Sequence, residues 1–185
     1  MPAAGSPEVD LVCHPSTVKD GPYAIRIAYG YTQANVLGLR YVLTGPVDRL
    51  RVPPLKASER ADELWRHTCF EAFVGIAGEE AYDELNFAPS TQWAAYHFAR
   101  YRFGMACAMD VEARDLAVRR EPERLQLEVS VPLQKLAATA GDRPLRLALA
   151  AVVESGDGTL SYWALRHPSG QPDFHHRDGF TITLR

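Results

Sequence analysis

Residues 68–73 read TCFEAF and residues 82–89 read YDELNFAP, two apolar runs that each carry a carboxylate where a strand would bury side chains. A carboxylate taken out of water without a partner costs on the order of several kcal/mol. Glu71 and Glu84, with Asn86 two positions beyond Glu84, are therefore the residues whose type and setting point to chemistry. Two carboxyls and an amide suit the hydroxyls of a polyol, and flat aromatic rings suit the C–H face of a sugar. Trp93 and Tyr96 follow at once, delivered by the loop APSTQW. Arg166 and His167 open a second polar cluster, RHPSGQPDFHHRDGF, whose Pro and Gly residues make it an irregular loop. The guanidinium of Arg166 would balance the two acids, and His167 would donate or accept at the rim. The predicted ligand-binding set is Glu71, Glu84, Asn86, Trp93, Tyr96, Arg166 and His167.

No catalytic residue is assigned. The sequence has no nucleophile elbow, no phosphate loop and no dinucleotide fingerprint. Paired carboxylates on neighbouring strands are also the equipment of glycoside hydrolysis, which stands as a third reading. No metal site is predicted, because adjacent His175 and His176 diverge on extended backbone and neither HExxH nor a paired-cysteine spacing occurs. Cys13, Cys69 and Cys107 form no CxxC and read as reduced thiols of a cytoplasmic protein.

These side chains need strands to aim them. In an extended segment residues two apart share a face. Tyr82, Glu84 and Asn86 then point one way, Leu85 and Phe87 the other, while Phe70, Ala72 and Val74 oppose Cys69, Glu71 and Phe73. The short loop around Gly78 joins the two runs as a hairpin. The register that keeps polar with polar sets Glu71 opposite Asn86 or Glu84, and because facing carboxylates repel, the Asn86 pairing or a nearby cation is favoured. Clean alternation recurs at Tyr23–Ile25–Ile27, at Leu37–Leu39–Tyr41–Leu43 and at Leu125–Leu127–Val129–Val131. Residues 145–153, then GDG, then residues 160–165 read as a further hairpin. Turn signals such as KDGP at 19–22 separate the runs. Ten to twelve strands at this spacing predict an all-β fold, an antiparallel β-sandwich. Helix is predicted only at residues 59–65, after Ser58, and at residues 133–140, after Pro132. Residues 1–7 are expected to form a flexible N-terminus and residues 8–185 a single domain.

The totals bound the partners. The chain has 185 residues and a formal charge of -3, which offers no general attraction to nucleic acid or to an anionic membrane. There is no twenty-residue apolar run for a transmembrane helix and no leader-like start. The oligomeric state is left open.

Three long motifs carry a resemblance: DELWRHTCFEAF, YDELNFAPSTQWAAYHFARYRFGM and YWALRHPSGQPDFHHRDGF. Together they make the chain similar to a bacterial family of DOMON-like proteins, related to the family-nine carbohydrate-binding modules and to DOMON sensor domains. That resemblance implies an immunoglobulin-like or jelly-roll sandwich and a non-catalytic ligand-binding module, for a carbohydrate or a sugar-like metabolite. It implies a clamp of two tryptophans beside polar groups, with Trp65, Trp93 and Trp163 the candidates. No cofactor is expected on the sugar reading. The alternative the resemblance brings is a haem or redox sensor holding haem b, with Met105 and His167 or His175 as axial ligands.

Overall fold

The alternation at Leu125, Leu127, Val129 and Val131 does what a period of two demands: all four are wholly buried. A one-residue slip would expose them at a cost of roughly 6–12 kcal/mol, so this strand has one workable register. The computed structural model describes residues 2–3, 5–17, 21–168 and 170–184, without the side chains of residues 135, 137 and 138. Parts of two expectations, the flexible tail of residues 1–7 and the turn at 19–22, lie outside the described residues.

Twelve antiparallel strands are present among the described residues. They are β1 (Glu8–Cys13), β2 (Ala24–Gln33), β3 (Val36–Thr44), β4 (Cys69–Ile76), β5 (Tyr82–Phe87), β6 (Trp93–Phe98), β7 (Ala106–Cys107), β8 (Arg114–Glu121), β9 (Arg124–Pro132), β10 (Leu145–Glu154), β11 (Leu160–Ala164) and β12 (Ile182–Leu184). One layer runs β8-β9-β3-β2-β1 and the other β7-β6-β5-β4-β10-β11, with β12 beside the start of β10. β1 joins the layers: its first part pairs with β2, while Val12 and Cys13 pair with Ala164 and Trp163 of β11. The all-β fold class predicted from the strand spacing is the one observed.

The main core fills the space between the layers. Ile25, Ile27, Leu37, Leu39, Tyr41 and Leu43 from one side meet Phe70, Ala72, Val74, Leu85 and Phe87 from the other. A single α-helix is described, α1 (Gln134–Ala140), inside the span predicted from residue 133. The helix expected at residues 59–65 is not formed. Its backbone instead lies along the start of β6, with Ala61 N–H donating to the Trp93 carbonyl at 2.9 Å. The Arg60 guanidinium donates to the carbonyls of Ala95 and Ala108 at 2.9 and 2.8 Å. Only a short 3-10 turn, Leu64–Arg66, follows. Among the described residues no helix is long and apolar enough to cross a membrane.

β4 departs from half-buried alternation, since all eight of its residues are buried. Its outer face is roofed. Phe73, Tyr82, Ala94, Tyr96, Phe98, Ala148, Ala150 and Ala164 form a second, smaller core on that face. Leu64, Trp65, Phe174 and Phe180 pack down on it from two covering segments. The alanines leave room on the sheet for those rings, so the strands and their cover interlock.

Candidate functional site

The β4–β5 hairpin sets Glu71 opposite Asn86 and Phe73 opposite Glu84, the register that strand parity predicts. The connecting turn needs a left-handed residue, supplied by Gly78 at φ 88. Glu71, Glu84 and Asn86 thus share the outer face, under the roof, and all three are buried. From the opposite layer, the buried Tyr41 hydroxyl donates to the Glu71 carbonyl at 3.0 Å, tying the backbone at this point across the main core.

Asn86 Nδ2 donates to Glu84 Oε1 at 2.7 Å, and the Cys69 thiol lies 3.9 Å from Asn86 Oδ1. Glu84 Oε2 faces His175 Nε2 at 3.6 Å. Glu71 Oε1 is buried and has no hydrogen-bond partner. Burial pushes the Glu71 carboxyl well above the usual range and the charge of Glu84 adds to the push, while the Arg102 guanidinium opposes it. Burial also raises Glu84, against the hydrogen bond from Asn86 and the charge of Arg102. The pair therefore keeps a proton to higher pH than free carboxyls do. His175 moves the other way, down to about 4, through burial and the neighbouring Arg102.

Above the acids is a cavity of about 370 Å³. Glu71 and Glu84 lie in it with Trp65, Phe98, Met105, Tyr162, Phe174, Arg102 and His175 among its walls. Arg102 and Met105 are exposed, which places them at the mouth. Two segments hold the walls. Trp65 sits on the 3-10 turn, anchored in front by Tyr96, whose hydroxyl donates to Asp62 at 2.6 Å, and behind by His67, 2.7 Å from the buried Glu154. Phe174 and His175 belong to the loop after β11. There Asp173 accepts from Tyr101 at 2.6 Å and from Arg102 at 2.8 and 3.2 Å, lacing this loop to the one after β6. Tyr82 completes the lacing: its hydroxyl lies 2.8 Å from His175 Nδ1 and accepts from the Arg102 backbone N–H at 3.2 Å. Burial acts to raise Asp173, but its hydrogen bonds from Tyr101 and Arg102 outweigh that and hold it below the usual range.

The rest of the predicted set lies elsewhere. Trp93 stands opposite Phe87 and points to the main-core side, with the Arg60 guanidinium over its ring at 4.8 Å. It cannot stack on a ligand held at Glu84. Tyr96 shares the face of Glu84 but is buried beneath Trp65, edge-on at 5.7 Å, and supports the cavity without lining it. Trp163 is buried in the main core, leaving Trp65 as the one clamp candidate at the cavity. Arg166 is exposed in a neighbouring cleft, and the charge opposing the two acids comes from Arg102. His167 packs edge-on against His14 and bonds the Val12 carbonyl through Nε2 at 2.7 Å, away from the acids.

Arg102 and His175 line the cavity but were not in the predicted ligand-binding set, and neither were Trp65, Tyr162 and Phe174. Of the haem candidates, Met105 and His175 wall this cavity and His167 does not. His175 has Nδ1 bonded to Tyr82 and Nε2 turned to Glu84, so neither nitrogen is free to ligate without breaking that arrangement. The residues present do not fit an axial pair. Among the described residues, no group of three His, Cys, Asp or Glu side chains is placed to hold a metal ion. The cleft that holds Arg166 is larger, about 670 Å³, and two others are larger again, about 710 Å³ at the β4–β5 turn and about 1030 Å³ at the β2–β3 turn. None of them contains Glu71 or Glu84.

No family model matches the chain, and no curated protein matches it. A solved structure does: a candidate carbohydrate-binding protein from Bacteroides uniformis, at TM-score 0.66 and 15% identity. The alignment covers 98% of this chain and 88% of that one. At that identity the match shows a shared fold.

Proposed function

We propose that the chain is a non-catalytic binding module of the DOMON-like kind, and that it holds a small carbohydrate or sugar-like metabolite in the cavity above Glu71 and Glu84. One observation carries this reading: a buried carboxylate oxygen, Glu71 Oε1, left without a partner inside an aromatic-walled cavity. Such an oxygen costs about 1–3 kcal/mol unless something donates to it. A bound hydroxyl would. Glu84 extends the polar floor with Asn86 bonded behind it, Trp65, Tyr162 and Phe174 supply aromatic walls, and the volume lies at the small end of ligand pockets. The solved neighbour's description as a candidate carbohydrate-binding protein agrees with this choice of ligand.

Hydrolysis is the competing reading, because both acids rise from one face of one hairpin and glycoside cleavage uses two carboxyls that flank the scissile bond. A panel of monosaccharides and disaccharides, followed by thermal shift and NMR titration, tests the proposal. Glu84→Gln and Trp65→Ala should each abolish a hit while circular dichroism stays native. A hit that survives both substitutions places the ligand elsewhere, and turnover of a glycoside at a rate that Glu84→Gln removes would make the chain an enzyme.

A further inference from the structure

By themselves, the two acids of the cavity are offset by the protons they keep, not by a fixed counter-charge. Glu71 and Glu84 bring two carboxyls to a buried floor, and among the described residues neither makes an ion pair with a lysine or arginine. The nearest guanidinium, Arg102, is committed: its Nε and Nη2 both donate to Asp173 Oδ1 at 3.2 and 2.8 Å. His175 spends Nδ1 on Tyr82. A neutral hydroxyl would satisfy the orphaned Glu71 Oε1 as an acceptor but would bring no charge to offset the second acid. Without a counter-charge a buried acid stays neutral by holding its proton, and an ammonium is the donor that lets both carboxyls ionise. The walls suit a cation as well, because the faces of Trp65, Tyr162 and Phe174 carry the negative part of the ring quadrupole.

We infer that the ligand of this cavity carries an alkylammonium group, seated between the Glu71 and Glu84 carboxyls and flanked by aromatic rings. Joined to the reading of the cavity as a sugar site, on which the choice of class rests, this makes the ligand an amino sugar with a free amine. The ammonium hydrogens reach Glu71 Oε1 and Glu84, and the apolar face of the sugar ring lies against the indole of Trp65. A free amine offers what an acetylated one does not, a positive charge with several donors.

The probes are glucosamine, glucose, N-acetylglucosamine and the sugarless amine ethanolamine, each titrated at millimolar concentration by NMR and calorimetry. Glucosamine is expected to bind at least about tenfold more tightly than glucose or N-acetylglucosamine. Glu71→Gln and Glu84→Gln should each erase that preference. If glucose or N-acetylglucosamine binds as well as glucosamine, the amine inference is overturned and the sugar reading stands. If ethanolamine binds through Glu71 and no sugar does, the cation inference stands and the sugar reading falls. Silence from all four probes overturns both. Should Glu71→Gln fail to fold, Trp65→Ala, on the covering turn, supplies the second variant: undiminished glucosamine binding there also overturns the proposal.

Discussion

Glu71 is a residue held at a cost. Nothing donates to its Oε1, burial raises its carboxyl, and the charge of Glu84 adds to the effect. Replacing it with the neutral isostere should therefore help the fold while harming the site. Glu71→Gln is expected to gain about 1–2 kcal/mol at pH 8 and less at pH 5, where the raised carboxyl keeps more of its proton. Urea melts at the two pH values measure this, and an equal effect at both would show that charge is not the burden. The tryptophans separate in a similar way. Trp93 packs toward the main core under Arg60, so Trp93→Ala should cost about 2–4 kcal/mol and leave ligand affinity unchanged. Trp65, on the cavity wall, should behave in reverse: a modest loss of stability and loss of binding. Equal affinity losses from the two substitutions would contradict the assignment of faces.

At the scale of elements, the site is one hairpin and two covers. The hairpin was legible in the sequence because period-two alternation forces parity, and carboxylates inside apolar runs mark the unusual face. Trp93 was misplaced because the turn at residues 88–92 reverses the chain before β6. There Thr91 is left-handed at φ 71, and the resulting register sets Trp93 against Phe87 rather than among the acids. The covers were not legible. Arg102 reaches the site from an irregular loop, itself left-handed at φ 51, and is held by Asp173, 71 positions along the chain. No local period encodes such a meeting. Their joint is testable. Asp173→Asn leaves Tyr101 and Arg102 without a charged acceptor and slackens both loops. Because Arg102 is half exposed, screening holds the stability loss to about 1 kcal/mol. Amide exchange should nonetheless rise at residues 100–104 and 172–176, and ligand affinity should drop. Unchanged exchange there would mean that other contacts hold the roof.

For the whole molecule, opposed titrations on one roofed face set the pH range of stability. His175 falls from 6.5 to about 4 on folding, through burial first and then the charge of Arg102. A base depressed in this way adds stability that is present above pH 6.5 and lost as pH drops toward 4, roughly 3 kcal/mol in all. Glu71 and Glu84 are raised, through burial first. Below the ordinary value of 4.5 they cost the fold nothing. As pH climbs through their folded values the native state must ionise buried acids that the unfolded chain ionises freely, so stability declines. Between pH 4.5 and 6.5 the two slopes have opposite signs and partly cancel, giving a broad maximum with two limbs of separate origin. Each limb has its own variant. His175→Gln should flatten the acid limb, so that stability persists as pH falls from 6.5 to 4.5, while Glu71→Gln should shrink the alkaline limb to the share that Glu84 carries. Urea denaturation from pH 4.5 to 9 on the native chain, the two single variants and the double variant separates the two. Acid and alkaline effects that moved together in both single variants would show one coupled transition of the roof in place of two independent titrations. A cationic ligand should relieve the alkaline limb alone, because it neutralises the acids and leaves His175 on Tyr82.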